Sequence, residues 1–355
     1  MNLKSIKAIC FRNLQSVQLE PFPGMNLFIG PNGHGKTNLL DAISLGCQLR
    51  PIRPIKQNAD LIQFGAPEAR IETTFDFGTV SVQINSEGKK VRVNSKATRD
   101  SNVLADKVAL VSFVPEDLGA ITGGAAQRRR LLDQIAASLF PNYVLYYRQY
   151  ERVLLQRNRL LKQPLIDLVE LDSFTQVLAG AGGIIEKARL QALELIRPRF
   201  AGSLEALSAS KLSSELVYRP SSQGDLKLSL ERMKNEERIR KTTLLGPHLD
   251  DMEISINDHA SRYTASRGQA RILVLALKIA QLQTVFLHRG LVPILLLDDV
   301  VGELDQNHAM QLLRAVEHLK AQTFITTTHL EALPTDWQSN NIFSIFDGNL
   351  VGNRN

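Results

Sequence analysis

The chain has 355 residues, more than one hydrophobic core usually serves, and this length predicts two lobes. Hydrophobic residues make up 44% and charged residues 22%, as in an ordinary soluble globular protein, and the formal net charge of +6 favours a polyanionic partner. The two cysteines, Cys10 and Cys47, exclude a disulfide or zinc framework and are typical of a reducing cytoplasm.

The sequence predicts neither a membrane span nor a secretory leader. No uninterrupted apolar run is long enough to cross a bilayer. The first segment, MNLKSIKAICFRNL, contains no long apolar core and no small-residue cleavage site. We therefore expect a cytoplasmic protein without a membrane partner.

Residues 1–118 alternate in the manner of β-strands and predict the N-terminal part of an α/β lobe. Strand patterns run through LKSIKAICF, VQLEPF and MNLFI, and a helix is expected after the loop that follows. Residues 50–65 contain two prolines and no clear period, which predicts a loop. The segment 69–96 predicts a β-meander, and residues 108–114 predict an apolar strand.

Residues 119–243 have helical patterns and predict an inserted lobe. Apolar residues recur at helical spacing in three segments, at 142–162, 172–210 and 225–241. The second of these segments is expected to be interrupted near Gly182-Gly183 and at Pro198. No segment keeps a heptad pattern long enough for an extended coiled coil, so the inserted lobe is expected to be compact.

Residues 244–355 return to an α/β pattern and predict the C-terminal part of the first lobe. Strands are expected in MEISIN, PILLLDDV and TFITTTH, with helices between them, the first from about 267 to 288. A closing hairpin is expected around Asp347-Gly348. The predicted fold class is therefore α/β, with a helical lobe inserted into one domain.

The segment GPNGHGKTNLLDAI at residues 30–43 matches the phosphate-loop pattern, a Gly, four residues and Gly-Lys-Ser/Thr. Glycines let backbone N–H groups converge on a polyphosphate, and the helix that follows directs its positive dipole end at the same anion. Lys36 would reach the β- and γ-phosphates of ATP, and the Thr37 hydroxyl could ligate Mg²⁺. A Gly-rich turn that matches by chance is the alternative. The candidate nucleotide-binding residues are Gly30, Asn32, Gly33, Gly35, Lys36, Thr37 and Asn38.

The segment PILLLDDV at 293–300 predicts a buried apolar strand that ends in carboxylates. Asp298 would lie at Mg²⁺ and its water ligands, and Asp299 would lie one step on, where a base could polarise an attacking water. An ordinary Asp-Asp turn is the alternative. A phosphate loop in the same chain favours the metal-site interpretation.

Two weaker signals complete the candidate site. Ser266 and Gly268 precede a long amphipathic helix, and a hydroxyl, a Gly N–H and a helix N-terminus together form a second anion site. A simple Ser N-cap has the same sequence, and one nucleotide needs two such sites only if the second comes from another subunit. His329 follows an apolar strand and could hydrogen-bond a γ-phosphate or the attacking water, although many such histidines are surface or cap residues.

Together these motifs resemble the ABC-type ATPase heads in their SMC-like branch, and within that branch the RecF family. The resemblance covers essentially the full chain. Its supporting segments are CFRNL at 10–14, the phosphate loop, FVPEDL at 113–118, GGAAQRRRLLD at 123–133, GPHLDD at 246–251, SRGQ at 266–269 and LLLDDVVGELD at 295–305. The fold implied is a P-loop ATPase head with an inserted helical lobe.

Some positions depart from the family pattern. His34 stands where a small polar residue is usual, Ala125 where a proline is usual, and Gly302 where a Ser is commoner. None of these changes removes a phosphate or Mg²⁺ ligand. The glutamine of a Q-loop is assigned either to Gln63, by position only, or to the segment 114–117.

The resemblance implies that ATP lies between the phosphate loop of one subunit and the Ser266–Gln269 signature of another, so that ATP joins an ATP-dependent homodimer. Lys36, Thr37 and Asp298 would then hold Mg·ATP within one chain. Asp299 would be the general base, with His329 and Asp305 near the γ-phosphate and the dimer seam. The implied enzymatic activity is a weak, DNA-stimulated ATPase that acts as a switch.

The implied partner is double-stranded DNA, particularly at gap edges where single strand meets duplex. The resemblance also implies partnership with RecR, together with RecO, to load RecA in gap repair, replication restart and the SOS response. Support from the residues is a set of basic side chains in or beside the helical lobe, which suit phosphate contacts without sequence specificity. These residues are QRRR at 127–130, Arg148, Arg152, Arg157, Arg159 and Lys162. They could equally solvate helix faces.

Two alternatives remain open at this point. One is a different SMC-like ATPase, such as an overcoming-lysogenization-type nuclease head, which carries an acidic nuclease domain after the ATPase. The other is a P-loop phosphotransferase that acts on a small molecule, and it leaves the segment 266–269 without a role.

Overall fold

The computed structural model describes residues 2–98, 100, 102–208, 212–299, 306–328 and 341–354. The chain forms two compact units. The first consists of Met1–Glu116 and Lys278–Asn355, and the second of Asp117–Leu277.

The bounds of the elements are given in chain order. The strands are β1 (Leu3–Phe11), β2 (Leu14–Leu19), β3 (Met25–Ile29), β4 (Glu68–Phe75), β5 (Gly78–Asn85), β6 (Gly88–Val93), β7 (Lys96–Thr98), β8 (Leu110–Phe113), β9 (Leu216–Arg219), β10 (Asp251–Ile256), β11 (His259–Ala260), β12 (Ile294–Asp298), β13 (Thr323–Thr327), β14 (Asn341–Phe346) and β15 (Asn349–Arg354). The α-helices are α1 (Lys36–Gln48), α2 (Gly119–Thr122), α3 (Ala125–Leu139), α4 (Tyr143–Leu161), α5 (Leu168–Leu207), α6 (Leu226–Arg240), α7 (Ser261–Thr264), α8 (Arg267–Arg289) and α9 (Gln306–Leu319).

The first unit contains an antiparallel sheet with the strand order β2-β1-β4-β5-β6-β7. Alternate residues of β4 and β5 are buried, as expected for strands that cover a core with one face. Helix α1 packs closely on this sheet, since a Cβ added at Gly46 would lie 2.2 Å from Cγ2 of Thr73. Apolar side chains of this sheet and of α1 belong to one continuous hydrophobic core.

A second, mostly parallel sheet of the first unit has the strand order β15-β14-β3-β13-β12-β8. All five residues of β12 are buried, which is typical of a central parallel strand covered on both faces. The register pairs Ile29 with Thr327 and Asp298 with Thr326. The carboxyl ends of β3, β12 and β13 therefore meet at one edge, where α/β sheets bind ligands.

The second unit combines helices α2 to α7 with a small sheet of order β11-β10-β9. Helix α5 runs for 40 residues, so the interruptions expected near Gly182-Gly183 and at Pro198 are absent and that expectation was wrong. Gly182 marks a close packing contact, because a Cβ there would lie 2.5 Å from Cδ2 of Leu226. Buried Ile196 and Phe200 flank Pro198, and their packing holds the helix together past the missing N–H.

The second unit begins near the expected residue 119 but ends at Leu277, whereas the sequence placed the return to the first lobe at residue 244. Strand β10 pairs with β9, which brings Asp251 opposite Arg219. Arg128 of α3 forms a bidentate ion pair with Asp251, with both N–O distances 2.8 Å. These contacts attach the segment after residue 244 to the helices.

Helices α5 and α8 have the length and apolar composition of a membrane span, which the search for uninterrupted apolar runs did not anticipate. Core helices of soluble proteins meet the same criteria, and the apolar window of α8 is mostly buried. Two such helices are weak grounds for a membrane assignment, and the expected absence of a membrane partner stays a prediction.

Candidate nucleotide-binding site

Three glycines shape the loop between β3 and α1, each for its own reason. Gly33 and Gly35 have φ angles of 84° and 109°, in the left-handed region that favours glycine. Gly35 is also the residue directly before α1. A Cβ at Gly30 would lie 2.2 Å from the carbonyl oxygen of Ile345, so strand β14 leaves no room for a side chain there.

Lys36 is the first residue of α1 and is largely buried. Its Nζ donates hydrogen bonds to the carbonyl oxygens of Gly30, at 2.7 Å, and of Pro31, at 3.0 Å. Burial lowers the pKa of this ammonium, while Asp299 and Asp298 act in the opposite direction. Two neutral carbonyl groups of the loop thus hold the ammonium in place, and its positive charge stays available to an anion.

Asp298 is the last residue of β12, and its side chain is almost fully buried. Its Oδ1 accepts hydrogen bonds from Oγ1 of Thr37 and Oγ1 of Thr326, each at 2.8 Å. Burial raises the pKa of Asp298 in spite of these two bonds. A cation would stabilise the charged form of this buried carboxylate, whose two hydrogen bonds come from neutral hydroxyls. Hydroxyl and carboxylate oxygens are ligands that suit Mg²⁺.

Asp299 adopts a left-handed backbone conformation, with φ 54°. Its N–H donates to Oγ1 of Thr326 at 2.9 Å, which fixes the turn after β12 to the neighbouring strand β13. A non-glycine residue keeps this conformation only where its surroundings hold it. The turn places Asp299 beside Asp298 on the same cavity.

The two motifs meet in one cavity of about 250 Å³ within the first unit. Its lining residues are Asn32, Gly33, Gly35, Lys36, Thr37, Asn38, Arg53, Asp298 and Asp299. The phosphate loop and the acidic strand end, which are far apart in the sequence, are therefore neighbours in space. Gly30 lies behind the loop, against β14.

Arg53 lines the cavity and was missed by the sequence analysis. Its Nη2 donates to Oδ1 of Asn38 at 2.9 Å and to Oδ2 of Asp41 at 2.8 Å. Asp41 is completely buried in α1 and also forms an ion pair with Arg12 at 3.1 Å. A carboxylate on the apolar face of α1 was the available signal, but nothing in the sequence identified its partners.

Asn13 fixes the phosphate loop from the turn between β1 and β2. Its Nδ2 donates to the carbonyl oxygen of Gly33 at 3.0 Å, and its Oδ1 accepts from Nδ2 of Asn38 at 2.7 Å. The segment CFRNL, which the sequence analysis used only for its resemblance, therefore contributes two residues, Arg12 and Asn13, to the support of this site.

The signature residues lie in the second unit, at the start of α8. The backbone N–H of Ser266 donates to Oε1 of Gln269 at 2.9 Å, and the N–H of Gln269 donates to Oγ of Ser266 at 3.2 Å. This reciprocal pair is a capping box, so Ser266 serves as an N-cap. Ser266 and Gly268 are both exposed.

The remaining predicted residues either lie outside the part of the chain that the structure describes or are not among the lining residues of the cavity. His329, Asp305 and Gly302 lie outside the described residues. Neither Gln63 nor the segment 114–117 is among the lining residues, so the described part of the chain supports neither Q-loop assignment.

The expected basic patches are smaller in the structure than in the sequence. Arg157 is buried and pairs with Glu237 at 2.6 Å, and Arg128 is buried against Asp251. These two arginines are unsuited to DNA contacts because their charges are already neutralised inside the unit. The exposed members of the set are Arg152, Arg159 and Lys162.

Comparisons with known proteins bear on the whole chain. A family model described as the RecF/RecN/SMC N-terminal domain matches residues 2–347. The DNA replication and repair protein RecF of Citrifermentans bemidjiense is 32% identical over 99% of this chain and 100% of its own length. RecF of Heliobacterium modesticaldum is 35% identical over 94% of each chain. The chain belongs to the RecF family.

Solved structures agree with this assignment to the RecF family. The structure described as the recombination mediator protein RecF-ATP in the RecFOR pathway has 30% identity, a TM-score of 0.88, and coverage of 99% of this chain and 97% of that one. An Smc head bound to the C-winged helix domain of ScpA is 16% identical, with a TM-score of 0.56 over 99% of this chain and 98% of that one, and shows the fold alone. The predicted fold, an ABC-type ATPase head of the RecF and SMC kind, is confirmed.

Proposed function

We propose that this RecF-family chain is an ATP-dependent DNA-binding protein of recombinational repair. The observation that carries the proposal is the cavity in which the Thr37 hydroxyl lies 2.8 Å from buried Asp298, beside the ammonium of Lys36. A RecF relative has been solved with ATP, and the cavity supplies the donor types that a nucleotide and its metal require.

Within one chain, Lys36, Thr37 and the loop N–H groups would bind the phosphates of ATP, while Thr37 and Asp298 would hold Mg²⁺. When bound, Mg²⁺ neutralises phosphate charge. No cluster of three or more His, Cys, Asp or Glu side chains that could hold a metal occurs among the described residues. That agrees with Mg²⁺, which is usually held by one or two carboxylates together with phosphates and waters.

Turnover would be slow and would act as a switch, stimulated by DNA. Asp299 is positioned on the cavity one residue beyond Asp298, where its carboxylate could accept a proton from an attacking water. His329 and Asp305 keep their proposed places near the γ-phosphate and the dimer seam.

A second copy of the chain would complete the site. Ser266, Gly268 and Gln269 stand at the N-terminus of the 23-residue helix α8, with Ser266 and Gly268 exposed. Exposed N–H groups at a helix N-terminus attract anions. ATP held by the first unit of one copy would thus be capped by the signature of the other, which makes the homodimer ATP-dependent.

DNA would be bound through its phosphates, by exposed side chains such as Arg152, Arg159 and Lys162. Double-stranded DNA and junctions with single strands are the proposed targets. The proposed partners are RecR and RecO, with RecA loading in the cytoplasm as the outcome, during gap repair, replication restart and the SOS response.

The test is DNA binding and sedimentation with and without ATP. The wild type is expected to dimerise and bind duplex DNA only with ATP. Lys36→Arg is expected to lower turnover while sparing much of the nucleotide affinity. Ser266→Arg should bind ATP yet stay monomeric, because its side chain blocks the seat of the γ-phosphate.

The matched control for Ser266→Arg is Ser173→Arg, the same change at an exposed position of α5. It should dimerise like the wild type. Normal ATP-dependent dimerisation of Ser266→Arg would contradict the role of the signature, and a wild type that stays monomeric with ATP would contradict the proposed function.

A further inference from the structure

His34 lies in the middle of the phosphate loop, and its side chain contacts the turn between β14 and β15. His34 is not a lining residue of the cavity. Its ring lies on the turn between β14 and β15, with its centroid 4.6 Å from that of Phe346. Its Nδ1 is 3.0 Å from the backbone N of Asp347 and 3.0 Å from Oδ1 of the same residue.

Backbone contacts join the same turn to the same loop. The N–H of Gly348 donates to the carbonyl oxygen of His34 at 3.0 Å. A Cβ at Gly348, whose φ is 75°, would lie 1.9 Å from the carbonyl oxygen of Asn13. Together with the contact of Gly30 with Ile345, these approaches fit the hairpin closely to the back of the loop.

His34 stands between Gly33 and Gly35, which have no side chains and whose left-handed conformations are open to other backbone shapes in a free loop. A side chain that fastens the middle of such a loop reduces the entropy that nucleotide binding would otherwise have to remove. A small polar side chain at this position could not span the same distance to the turn.

We propose that His34 is a positioning residue for the nucleotide. Its imidazole fastens the phosphate loop to the β14–β15 turn, so that the loop N–H groups on the opposite side are already arranged for phosphates. This inference rests on the proposed function, in which the cavity holds ATP. Since the His34 ring contacts the turn and is not among the lining residues of the cavity, it acts through the loop and not by touching the ligand.

The ring can reach Asp347 in two ways, and a substitution separates them. Nδ1 cannot accept the backbone N–H and donate to the carboxylate at the same time. A ring without a hydrogen on Nδ1 accepts the N–H, whereas a ring with a hydrogen on Nδ1 donates to the carboxylate. Asp347 has φ 46°, a conformation that Asn also adopts readily, so Asp347→Asn removes the carboxylate and keeps the N–H.

The experiment is titration of the full chain with a fluorescent ATP analogue and Mg²⁺, and ATPase rates at saturating ATP. His34→Ala is expected to weaken affinity roughly fivefold to tenfold, the value of about one net hydrogen bond, with kcat unchanged. His34→Asn, whose amide oxygen can accept the same N–H, should recover most of the loss. Asp347→Asn should bind like the wild type if the N–H is the anchor.

Val351→Ala, an exposed position on β15, is the matched control and should bind normally. Should His34→Ala fail to fold, His34→Ser takes its place, because Ser is also too short to reach the turn. Wild-type affinity in the small-residue variant overturns the role of His34, as does an Asn variant no better than it. A wild type that binds no analogue overturns the proposed function instead, and the inference with it.

Discussion

Arg189 in the second unit and Asp298 in the first unit are both buried charged side chains, but their surroundings differ. In the second unit, Arg189 has 1% side-chain exposure and is paired with both Asp133, at 2.8 Å, and Asp250, at 3.2 Å. In the first unit, the hydrogen bonds described for buried Asp298 come from two neutral hydroxyls. The comparison teaches that a closed network of ion pairs marks structure, while a buried carboxylate that accepts hydrogen bonds from neutral hydroxyls beside a cavity marks a ligand site.

The closed network explains a motif that the nucleotide site does not use. The segment GPHLDD at 246–251 supplies the carbonyl oxygen of Pro247, which accepts from Arg189 at 2.7 Å, and the carboxylate of Asp250. The hydroxyl of Tyr218 also donates to Asp250. The motif thus ties helix α5 to strand β9, and its role is to organise the second unit.

The largest effect is expected from opening the closed network. Arg189→Met should lower the free energy of unfolding by about 3–5 kcal/mol, because it leaves buried Asp250 and partly buried Asp133 without their cation. Urea unfolding followed by circular dichroism measures this loss. Lys187→Met, an exposed lysine on the same helix, is the control and should change stability by less than about 0.5 kcal/mol. Equal stability of the two variants would contradict the comparison.

Removing the buried charge at the cavity should raise stability, in contrast to the loss expected for Arg189→Met. Asp298→Asn keeps hydrogen-bonding atoms for Thr37 and Thr326 but removes a buried charge, so stability should rise by about 1 kcal/mol. Mg²⁺-dependent ATP affinity should fall by more than roughly tenfold. Changing a residue that only supports a metal ligand already costs about that much, and Asp298 is proposed to bind the metal itself. Thermal unfolding and nucleotide titration measure the two effects. Asp76→Asn, an exposed carboxylate, is the control.

If Asp298→Asn destabilised the protein as Arg189→Met does, Asp298 would be a structural residue. Unchanged Mg²⁺-dependent affinity would lead to the same conclusion. Either result would remove the distinction between the two units.

The smallest effect concerns Glu186, at the margin of the closed network. Burial, and next the charge of Asp250, raise its pKa to about 7 from 4.5. Because the folded state binds this proton more tightly than the unfolded state, stability from this group is present below pH 4.5 and is lost as pH rises through 7. Glu186→Gln should therefore be more stable than the wild type at pH 8 and similar at pH 5.

The difference at pH 8 should not exceed about 1 kcal/mol, since solvent screens this partly exposed side chain. Melting temperatures of both proteins between pH 5 and pH 8 measure it. Glu194→Gln, exposed on the same helix, should show no such pH dependence. A constant difference across this range would mean that Glu186 does not titrate there.

Local patterns were enough to predict the centre of the candidate site. The phosphate-loop pattern and the apolar strand that ends in carboxylates predicted that Lys36 and Asp298 share one site, and both line the same cavity in the structure. The roles assigned to these residues stay predictions. Helix α4, at Tyr143–Leu161, was also predicted closely from its apolar spacing.

Contacts that depend on the tertiary fold could not be predicted from the sequence. Arg53 reaches the cavity because its loop folds back onto buried Asp41, and a loop has no period that reveals such a contact. Gly182 belongs to a Gly-Gly pair, which is typical of a helix interruption, but it lies inside helix α5 in close contact with Leu226. His34 was noted only as a departure from the family, since its partner, Asp347, lies at the other end of the chain.

The order of strands in the second sheet also determines how much of the chain must be made before the phosphate loop can fold. Strand β3, which leads into the phosphate loop, has β13 and β14 as its neighbours, and both are translated after residue 322. At roughly 5–20 residues per second, ribosomes need roughly 15–60 seconds to synthesise the intervening stretch of about 300 residues. Until then β3 lacks both of its neighbouring strands, so the phosphate loop would take its shape only after β14 has been made, and the proposed ATP-dependent association would be open only to chains made at least that far.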